Sequence, residues 1–144
     1  MSNWDAQLDA VRETGELQAM FPADLVIPMV APRDLGALAA ERMLSPPNDV
    51  ALRHVEGPRR YSAEDVAHAF SQLLGRKVDV RVTPRHGLQQ AFETLGFSHA
   101  AAESCARMTA LSIDAGFAMA ADSVKGPTSL QEHLRDVLSL RAPQ

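Results

Sequence analysis

The sequence predicts an α/β or α+β fold, with a small, largely parallel sheet of three strands, about six helices and a helical C-terminal half. Short β-branched segments alternate with amphipathic helical patterns up to residue 83, and helical patterns fill most of the remainder. Because a chain of 144 residues buries about two thirds of its unfolded surface, residues 1–144 are predicted to form a single domain.

The N-terminal segment is predicted to contain a helix, a strand and a second helix. Residues 3–17 carry apolar side chains at helical spacing. Residues 26–30 are apolar and β-branched, which predicts a strand, and Pro28 places it at a sheet edge because proline has no N–H to donate. Pro32 suits the first turn of the second helix. The apolar face of that helix is predicted to consist of Leu35, Leu38, Ala39 and Met43.

Two further strands are predicted in the middle of the chain. Residues 50–55 alternate apolar with less apolar side chains, as a half-buried strand does. Residues 78–82 alternate strictly, so the valines are predicted to point inward while Asp79, Arg81 and Thr83 point outward. Parallel pairing of the three strands through helical crossovers leaves an exposed sheet edge. We expect that edge to abut a missing part of the fold or a second copy of the chain.

The helix between these two strands has the clearest start in the sequence. Ser62 is placed as the N-cap, with Asp65 three residues later. Tyr61 and Val66 are placed to form a hydrophobic staple across the cap. Gly75 is a natural C-cap, so the pattern predicts a helix that ends there.

Helices are predicted for most of the remaining sequence. A short helix ends at Gly96, a longer alanine-rich helix covers residues 98–121, and Thr128 or Ser129 caps the last helix. Cys105, the single cysteine, lies in the long helix. We expect it to be a small buried apolar residue rather than a reactive thiol, and a single cysteine excludes an internal disulfide.

Composition and charge favour a globular protein without nucleic-acid or membrane partners. A net charge of −4 and the lack of a dense basic cluster give little electrostatic basis for holding a phosphate backbone. No apolar run approaches the roughly 20 residues of a membrane-spanning helix. The first residues carry neither a basic nor an apolar signal segment, so a cytoplasmic location is expected.

Local spacing predicts neither a cofactor site nor a metal site. None of the eight glycines forms the G-x-G cluster that lets backbone N–H groups approach a pyrophosphate, and the five histidines show no paired helical spacing. Tyr61 is followed four residues later by Asp65, which has the wrong charge to stabilise a phenolate. His86 follows the predicted strand at 78–82, where ligand-facing residues of α/β sheets collect. It is the one candidate acid or base, with an exposed loop histidine as the alternative.

Large apolar side chains form a second candidate feature. They either belong to the core or line a pocket for a small apolar or aromatic molecule. Members left uncovered would drive self-association. These residues are Trp4, Met20, Phe21, Met29, Phe92, Phe97, Met108, Phe117 and Met119.

Three segments resemble NmrA-like atypical short-chain dehydrogenases. Residues 29–36 (MVAPRDLG) resemble a short strand that leads through an aspartate into a helix, and residues 56–62 (EGPRRYS) resemble a later turn whose polar cap opens the next helix. Residues 75–78 (GRKV) resemble the end of that helix. The resemblance spans nearly the whole chain and implies the substrate-side, C-terminal portion of such an enzyme, without the N-terminal Rossmann half.

The resemblance also implies a ligand pocket. The family position that matches Asn3 lies near the nicotinamide end of the cleft, which makes Asn3, Trp4 and Met29 the pocket candidates. The family uses NADP or NAD. Without the glycine-rich turn, we expect this chain alone to have no cofactor, to bind NADP(H) weakly and to transfer no hydride.

Three interpretations follow, in order of preference. The first is a non-catalytic ligand-binding or assembly module derived from the family, a homo-oligomer that covers its sheet edge. The second is the substrate-binding half of an NAD(P)H-dependent oxidoreductase that needs a separate Rossmann partner. The third is an unrelated small enzyme that uses His86.

Overall fold

Helices surround two small parallel sheets in the computed structural model of the chain. The structure describes residues 1–46, 48, 52–118 and 121–140. No helix in these residues is long and apolar enough to cross a membrane. The predicted α/β class and the helical C-terminal half are confirmed.

Six α-helices lie in the described part of the chain, as the sequence predicts. Short 3-10 helices at Ser2–Gln7 and Arg85–Gly87 lead into the first and fourth of them. The α-helices are α1 (Leu8–Thr14), α2 (Pro32–Met43), α3 (Ala63–Leu74), α4 (Leu88–Thr94), α5 (His99–Ala115) and α6 (Leu130–Leu140).

The strands form two separate sheets of two strands each, so the prediction of one three-stranded sheet is wrong. Strand β1 (Glu16–Ala19) pairs in parallel with β3 (Asp79–Val82). Strand β2 (Val55–Glu56) pairs in parallel with β4 (Val124–Lys125). Strand β3 falls inside a predicted strand and β2 overlaps one at Val55. Strands β1 and β4 were not predicted, because they are short segments next to helical patterns.

The predicted first helix is too long at its C-terminal end. The chain leaves the helix at Gly15, whose φ of 75° is a left-handed conformation that favours glycine. Leu17, predicted on the helix, instead belongs to β1 and is completely buried.

The predicted strand at residues 26–30 is reduced to a single antiparallel bridge. Ile27 and Tyr61 exchange backbone hydrogen bonds of 2.9 and 3.1 Å. Pro28 has no N–H, so a longer ladder cannot form through it. In the predicted strand at residues 50–55, only the last residue is in β2, and residues 50 and 51 lie outside the described part of the chain.

Helix α2 begins at Pro32 as predicted, but its predicted apolar face is largely exposed. Leu35 is 47% exposed and Met43 is 86% exposed. The helix is attached through polar side chains of its first turn, Arg33 and Asp34, which bind the segment before α6. This polar attachment explains why its apolar residues contribute little to the core.

Helix α3 begins with the predicted capping box. The Asp65 N–H donates to Ser62 Oγ at 3.1 Å, and the Ser62 N–H donates to Asp65 Oδ2 at 3.0 Å. Tyr61 and Val66, the predicted staple residues, are both buried in the core. Gly75 adopts the left-handed C-cap conformation.

The C-terminal helices agree with the prediction in number but not in every boundary. Helix α5 ends before Gly116, earlier than the predicted residue 121, and Met119 lies outside the described residues. Ser129 rather than Thr128 caps α6, since its Oγ accepts from the Glu132 N–H at 3.2 Å. Thr128 has another role, because its hydroxyl and N–H both bind Asp34.

One core of buried apolar side chains joins α1, β1, α3 and α6. The Tyr61 hydroxyl lies in it and accepts a hydrogen bond of 3.1 Å from the Leu130 N–H, which joins α3 to α6. Fully or nearly buried members of the core include Leu8, Val11, Leu17, Met29, Val66, Phe70, Val78 and Leu134.

The contact between Asp34 and Thr128, here called the Asp34 clamp, joins α2 to the segment between β4 and α6. Asp34 accepts from the Thr128 N–H at 2.9 Å and from its hydroxyl at 2.6 Å. The side chain of Asp34 is only 7% exposed and Thr128 is 2% exposed. A buried donor that loses its acceptor destabilises the folded state, because the donor has given up its hydrogen bonds to water without replacement. The clamp is therefore predicted to be important for stability.

Asp34→Ala is therefore expected to lower the free energy of unfolding by about 2–4 kcal/mol, because two buried donors of Thr128 lose their acceptor. Urea denaturation followed by circular dichroism measures this change. Asp136→Ala is the matched control, since the Asp136 side chain is 53% exposed and binds the exposed Arg33 side chain. A loss as large in the control, or no loss in Asp34→Ala, contradicts the importance of the clamp.

Candidate functional site

The carboxyl ends of the parallel strands β2 and β4 define the candidate site, since ligands of open α/β sheets bind at this end. Gly57 follows β2 directly, and its N–H donates to the Met29 carbonyl at 2.7 Å. A β-carbon on Gly57 would lie 2.3 Å from that carbonyl oxygen. Glycine at position 57 therefore lets residue 29 approach the end of β2.

Trp4 and Met29 are in direct contact at this end of the sheet. The indole Nε1–H of Trp4 points to the Met29 sulfur at 3.4 Å. Met29 is 6% exposed, whereas Trp4 is half-buried and Asn3 beside it is exposed. The amino group of Met1 donates to the Val30 carbonyl at 3.0 Å and holds the first 3-10 helix against residues 29 and 30.

A buried carboxylate lies on β2 immediately before Gly57. Glu56 is opposite Lys125 in the register of β2 and β4. Its Oε1 accepts hydrogen bonds from Lys125 Nζ and, at 2.9 Å, from the Ser123 hydroxyl. Its Oε2 is buried without a hydrogen-bond partner among the described residues, and the Arg60 Nε lies 3.7 Å away.

The charge of Glu56 is fixed by these neighbours. The hydrogen bonds from Lys125 and Ser123 lower the pKa of the Glu56 carboxyl below its usual value, although burial opposes the shift. The group is consequently ionised at neutral pH. Because its ionised form is held by a direct ion pair, Glu56 suits a structural role better than proton transfer.

Of the predicted pocket residues, Trp4 and Met29 are in contact, and Asn3 precedes Trp4 in the 3-10 helix Ser2–Gln7. That the three residues form a ligand pocket stays a prediction. The surface there combines an aromatic ring, a thioether behind it and the exposed amide of Asn3. Such a surface can pack against a flat apolar molecule and offer one polar contact at its rim.

His86 lies in the other half of the fold, after β3 of the first sheet. It is exposed in the 3-10 helix Arg85–Gly87, and no hydrogen bond to its ring is formed within the described residues. The neighbouring Arg85 binds the two carboxylate oxygens of Asp114 at 2.7 and 2.6 Å. The assignment of His86 as an acid or base stays a prediction.

The remaining residues considered in the sequence have mostly structural surroundings. Tyr61 is 3% exposed, with the Arg59 guanidinium 4.2 Å from the centre of its ring. Cys105 is half-buried on α5. The large apolar side chains within the described residues do not form one pocket: Phe21 packs on Phe117, and other described members are distributed between the core and the surface.

Glu56 and Lys125 are residues of the site that the sequence did not predict. Each is the last residue of its strand, and a glycine follows each of them, at positions 57 and 126. Those glycines were the available signal for strand ends. The ion pair between Glu56 and Lys125 could not be predicted from the sequence, because the two residues are 69 positions apart. No cluster of three or more metal-ligating His, Cys, Asp or Glu side chains occurs within the described ranges.

Comparison with known proteins finds the fold of the chain in two enzymes. An NADPH-dependent quinone oxidoreductase from Escherichia coli is 18% identical, with a TM-score of 0.71 over 96% of this chain and 51% of that enzyme. A triphenylmethane reductase from Citrobacter sp. is 16% identical, with a TM-score of 0.71 over 94% of this chain and 48% of that enzyme. The chain therefore spans about half the length of each. No family model and no curated protein matches the sequence.

The lowered pKa of Glu56 predicts a pH-dependent contribution to stability. A carboxyl whose pKa is lowered by folding stabilises the fold above its ordinary pKa of 4.5, and this contribution is lost as the pH falls through the lowered value. Glu56→Gln is expected to lower the free energy of unfolding by about 1–3 kcal/mol at neutral pH, because the hydrogen bonds from Lys125 and Ser123 lose their charged acceptor. The difference between the two proteins should shrink as the pH falls below 4.5 and through the lowered pKa.

Urea denaturation at a series of pH values measures this difference. Glu103→Gln is the control, since its exposed carboxylate lies 3.9 Å from Arg107 and should contribute little. A difference between wild type and Glu56→Gln that stays constant down to acid pH would show that folding does not lower the pKa of the Glu56 carboxyl.

Proposed function

We propose that this chain is a ligand-binding module built on the substrate-side half of an NAD(P)H-dependent oxidoreductase fold. In this proposal a small, flat, conjugated molecule binds beside Trp4 and Met29, and the chain alone transfers no hydride. The observation that carries the proposal is the contact between the Trp4 indole and the Met29 sulfur at the carboxyl end of β2.

The chemistry of the two similar enzymes supports this class of ligand. One is described as acting on quinones and the other on triphenylmethane dyes. Both kinds of molecule are flat or propeller-shaped conjugated ring systems with little aliphatic character. An indole ring and a polarizable thioether are side chains that pack well on such rings.

The charges near the site support a binding role rather than a catalytic one. Glu56 is held as a carboxylate by Lys125, so it is not available to donate a proton at neutral pH. The Asn3 amide is exposed and can accept or donate one hydrogen bond to a ligand carbonyl or hydroxyl. This set of groups orients a molecule but supplies no electrons to reduce it.

A second candidate function is the substrate-binding half of a reductase that works with a separate dinucleotide-binding half. This candidate is favoured because the chain matches only about half of the quinone oxidoreductase and about half of the triphenylmethane reductase. In that case the same Trp4 and Met29 surface holds the substrate, while the other half supplies the nicotinamide. The two candidates differ in whether a separate dinucleotide-binding half works with the chain. They do not differ in where the ligand binds.

Isothermal titration calorimetry with a water-soluble naphthoquinone tests the ligand site. Wild type is expected to bind with one site per chain. Trp4→Ala is expected to weaken binding roughly two- to tenfold, because one aromatic contact contributes about 0.5–1.5 kcal/mol beyond its buried area. Phe97→Ala is the matched control, since Phe97 is an aromatic residue, 44% exposed, that packs on Phe92 elsewhere in the fold.

Equal affinities of wild type and Trp4→Ala, or a loss of affinity in Phe97→Ala of the same size, would contradict this location of the site. A titration of NADPH fluorescence with the chain tests what the two candidate functions have in common, namely that the chain alone does not bind the dinucleotide. The module is expected to leave the NADPH spectrum unchanged. Binding of NADPH by the chain alone would contradict both, because each assigns the dinucleotide to another half.

A further inference from the structure

The two outer edges of the β1–β3 sheet differ in whether a side chain covers their backbone hydrogen-bonding groups. The edge of β1 is closed by a side chain: Gln7 Nε2 donates to the Gln18 carbonyl, and Gln7 Oε1 accepts from the Gln18 N–H, both at 2.8 Å. The amide of Gln7 thereby replaces a neighbouring strand. Blocking an edge in this way prevents another chain from pairing there.

The edge of β3 has no such cover. The N–H groups of Asp79 and Thr83 donate to Gly15 and Ala19, so odd-numbered residues of this strand face β1. Val80 and Val82 consequently point their N–H and carbonyl groups away from β1. Neither has a hydrogen-bond partner in the part of the chain that the structure describes.

Space for another strand lies along this open edge. A cleft of about 540 Å³ separates the edge from α3 and is lined by Val78 to Val80 on one side and by one face of α3, at Glu64, Ala67, His68 and Ser71, on the other. Ser71 Oγ accepts from the Val78 N–H at 2.9 Å and closes only the first position of the edge. The positions of Val80 and Val82 stay open.

We propose that the open edge of β3 pairs with β3 of a second copy of this chain, in an antiparallel, two-fold symmetric dimer centred on Val80. In this register the Val80 N–H of each copy donates to the Val80 carbonyl of the other. The Val82 N–H of each copy donates to the Val78 carbonyl of the other. The contact is self-complementary, as a closed two-fold interface requires.

Charge complementarity selects this occupant and this register. A centre at Val80 places Asp79 directly opposite Arg81 of the second copy, and symmetry repeats the pair. Within one chain Asp79 lies opposite Glu16, which is another acid, and Lys77 Nζ, on an exposed side chain, lies 2.7 Å from Asp79 Oδ1. Arg81 Nη2 binds Glu16 at 2.6 Å. Arg81 from a second copy therefore adds a cation next to two neighbouring carboxylates.

Apolar complementarity and sheet size agree with the same pairing. Val82 is 44% exposed in one chain, and the pairing brings it beside Val78 of the second copy. A sheet of only two strands is marginally stable, whereas the dimer has one sheet of four strands. Gln7 then closes both outer edges of that sheet, so assembly stops at two copies.

Sedimentation velocity of the full chain over a series of concentrations tests the proposal. Wild type is expected to dimerise as concentration rises. Asp79→Arg alone and Arg81→Asp alone should each weaken the dimer roughly tenfold or more, because two symmetric pairs change from attraction to repulsion. The double variant, Asp79→Arg with Arg81→Asp, should recover most of the dimer, since the opposite charges face each other again.

Two further variants separate dimer formation from folding. Val80→Pro removes an N–H that the single chain does not use, so it should abolish the dimer and keep the far-ultraviolet circular dichroism spectrum. Arg107→Asp on α5 changes the charge by the same amount as Arg81→Asp on a 72% exposed side chain, and it should leave the dimer intact. A folded double variant that fails to recover the dimer overturns the proposed register.

A wild type that stays monomeric at every concentration overturns the proposal and leaves the edge to a strand from a different protein. A dimer that is unaffected by Val80→Pro also overturns it, because the contact then uses another surface.

Discussion

The side chain of Asp34 is the constraint on which the arrangement of the C-terminal segment depends. It binds the N–H and the hydroxyl of Thr128 across 94 residues of sequence, and Arg33 Nε adds a hydrogen bond of 2.8 Å to the same hydroxyl. Thr128 lies between β4 and α6. Holding Thr128 in place therefore sets β4 beside β2 and directs α6 onto the core. There the Tyr61 hydroxyl accepts a hydrogen bond from the Leu130 N–H.

The candidate site follows from that placement. Once β4 lies beside β2, Lys125 is opposite Glu56 and the buried carboxylate has its cation. On the other side of β2, Gly57 admits the Met29 carbonyl, and Met29 in turn receives the Trp4 indole. A chain of short-range contacts thus links a structural ion pair to an aromatic surface on which a flat ligand can pack.

Features formed by residues close together in the sequence were predictable, whereas contacts between distant segments were not. The capping box of Ser62 and Asp65 was predictable because both partners lie within one helical turn. The pairing of β1 with β3 was not, because Leu17 continues the periodicity of the preceding helix and only Gly15 marks its end. The grouping of the predicted Asn3, Trp4 and Met29 was implied by resemblance, whereas no local pattern pointed to Glu56.

The central claim is that a flat conjugated ligand binds against Trp4. This residue is the sole tryptophan of the chain, so its indole N–H gives a single cross-peak in the heteronuclear NMR spectrum of nitrogen-labelled protein. Titration with a water-soluble naphthoquinone should move this cross-peak progressively until it saturates. An indole cross-peak that stays in place while backbone resonances elsewhere move would contradict the account.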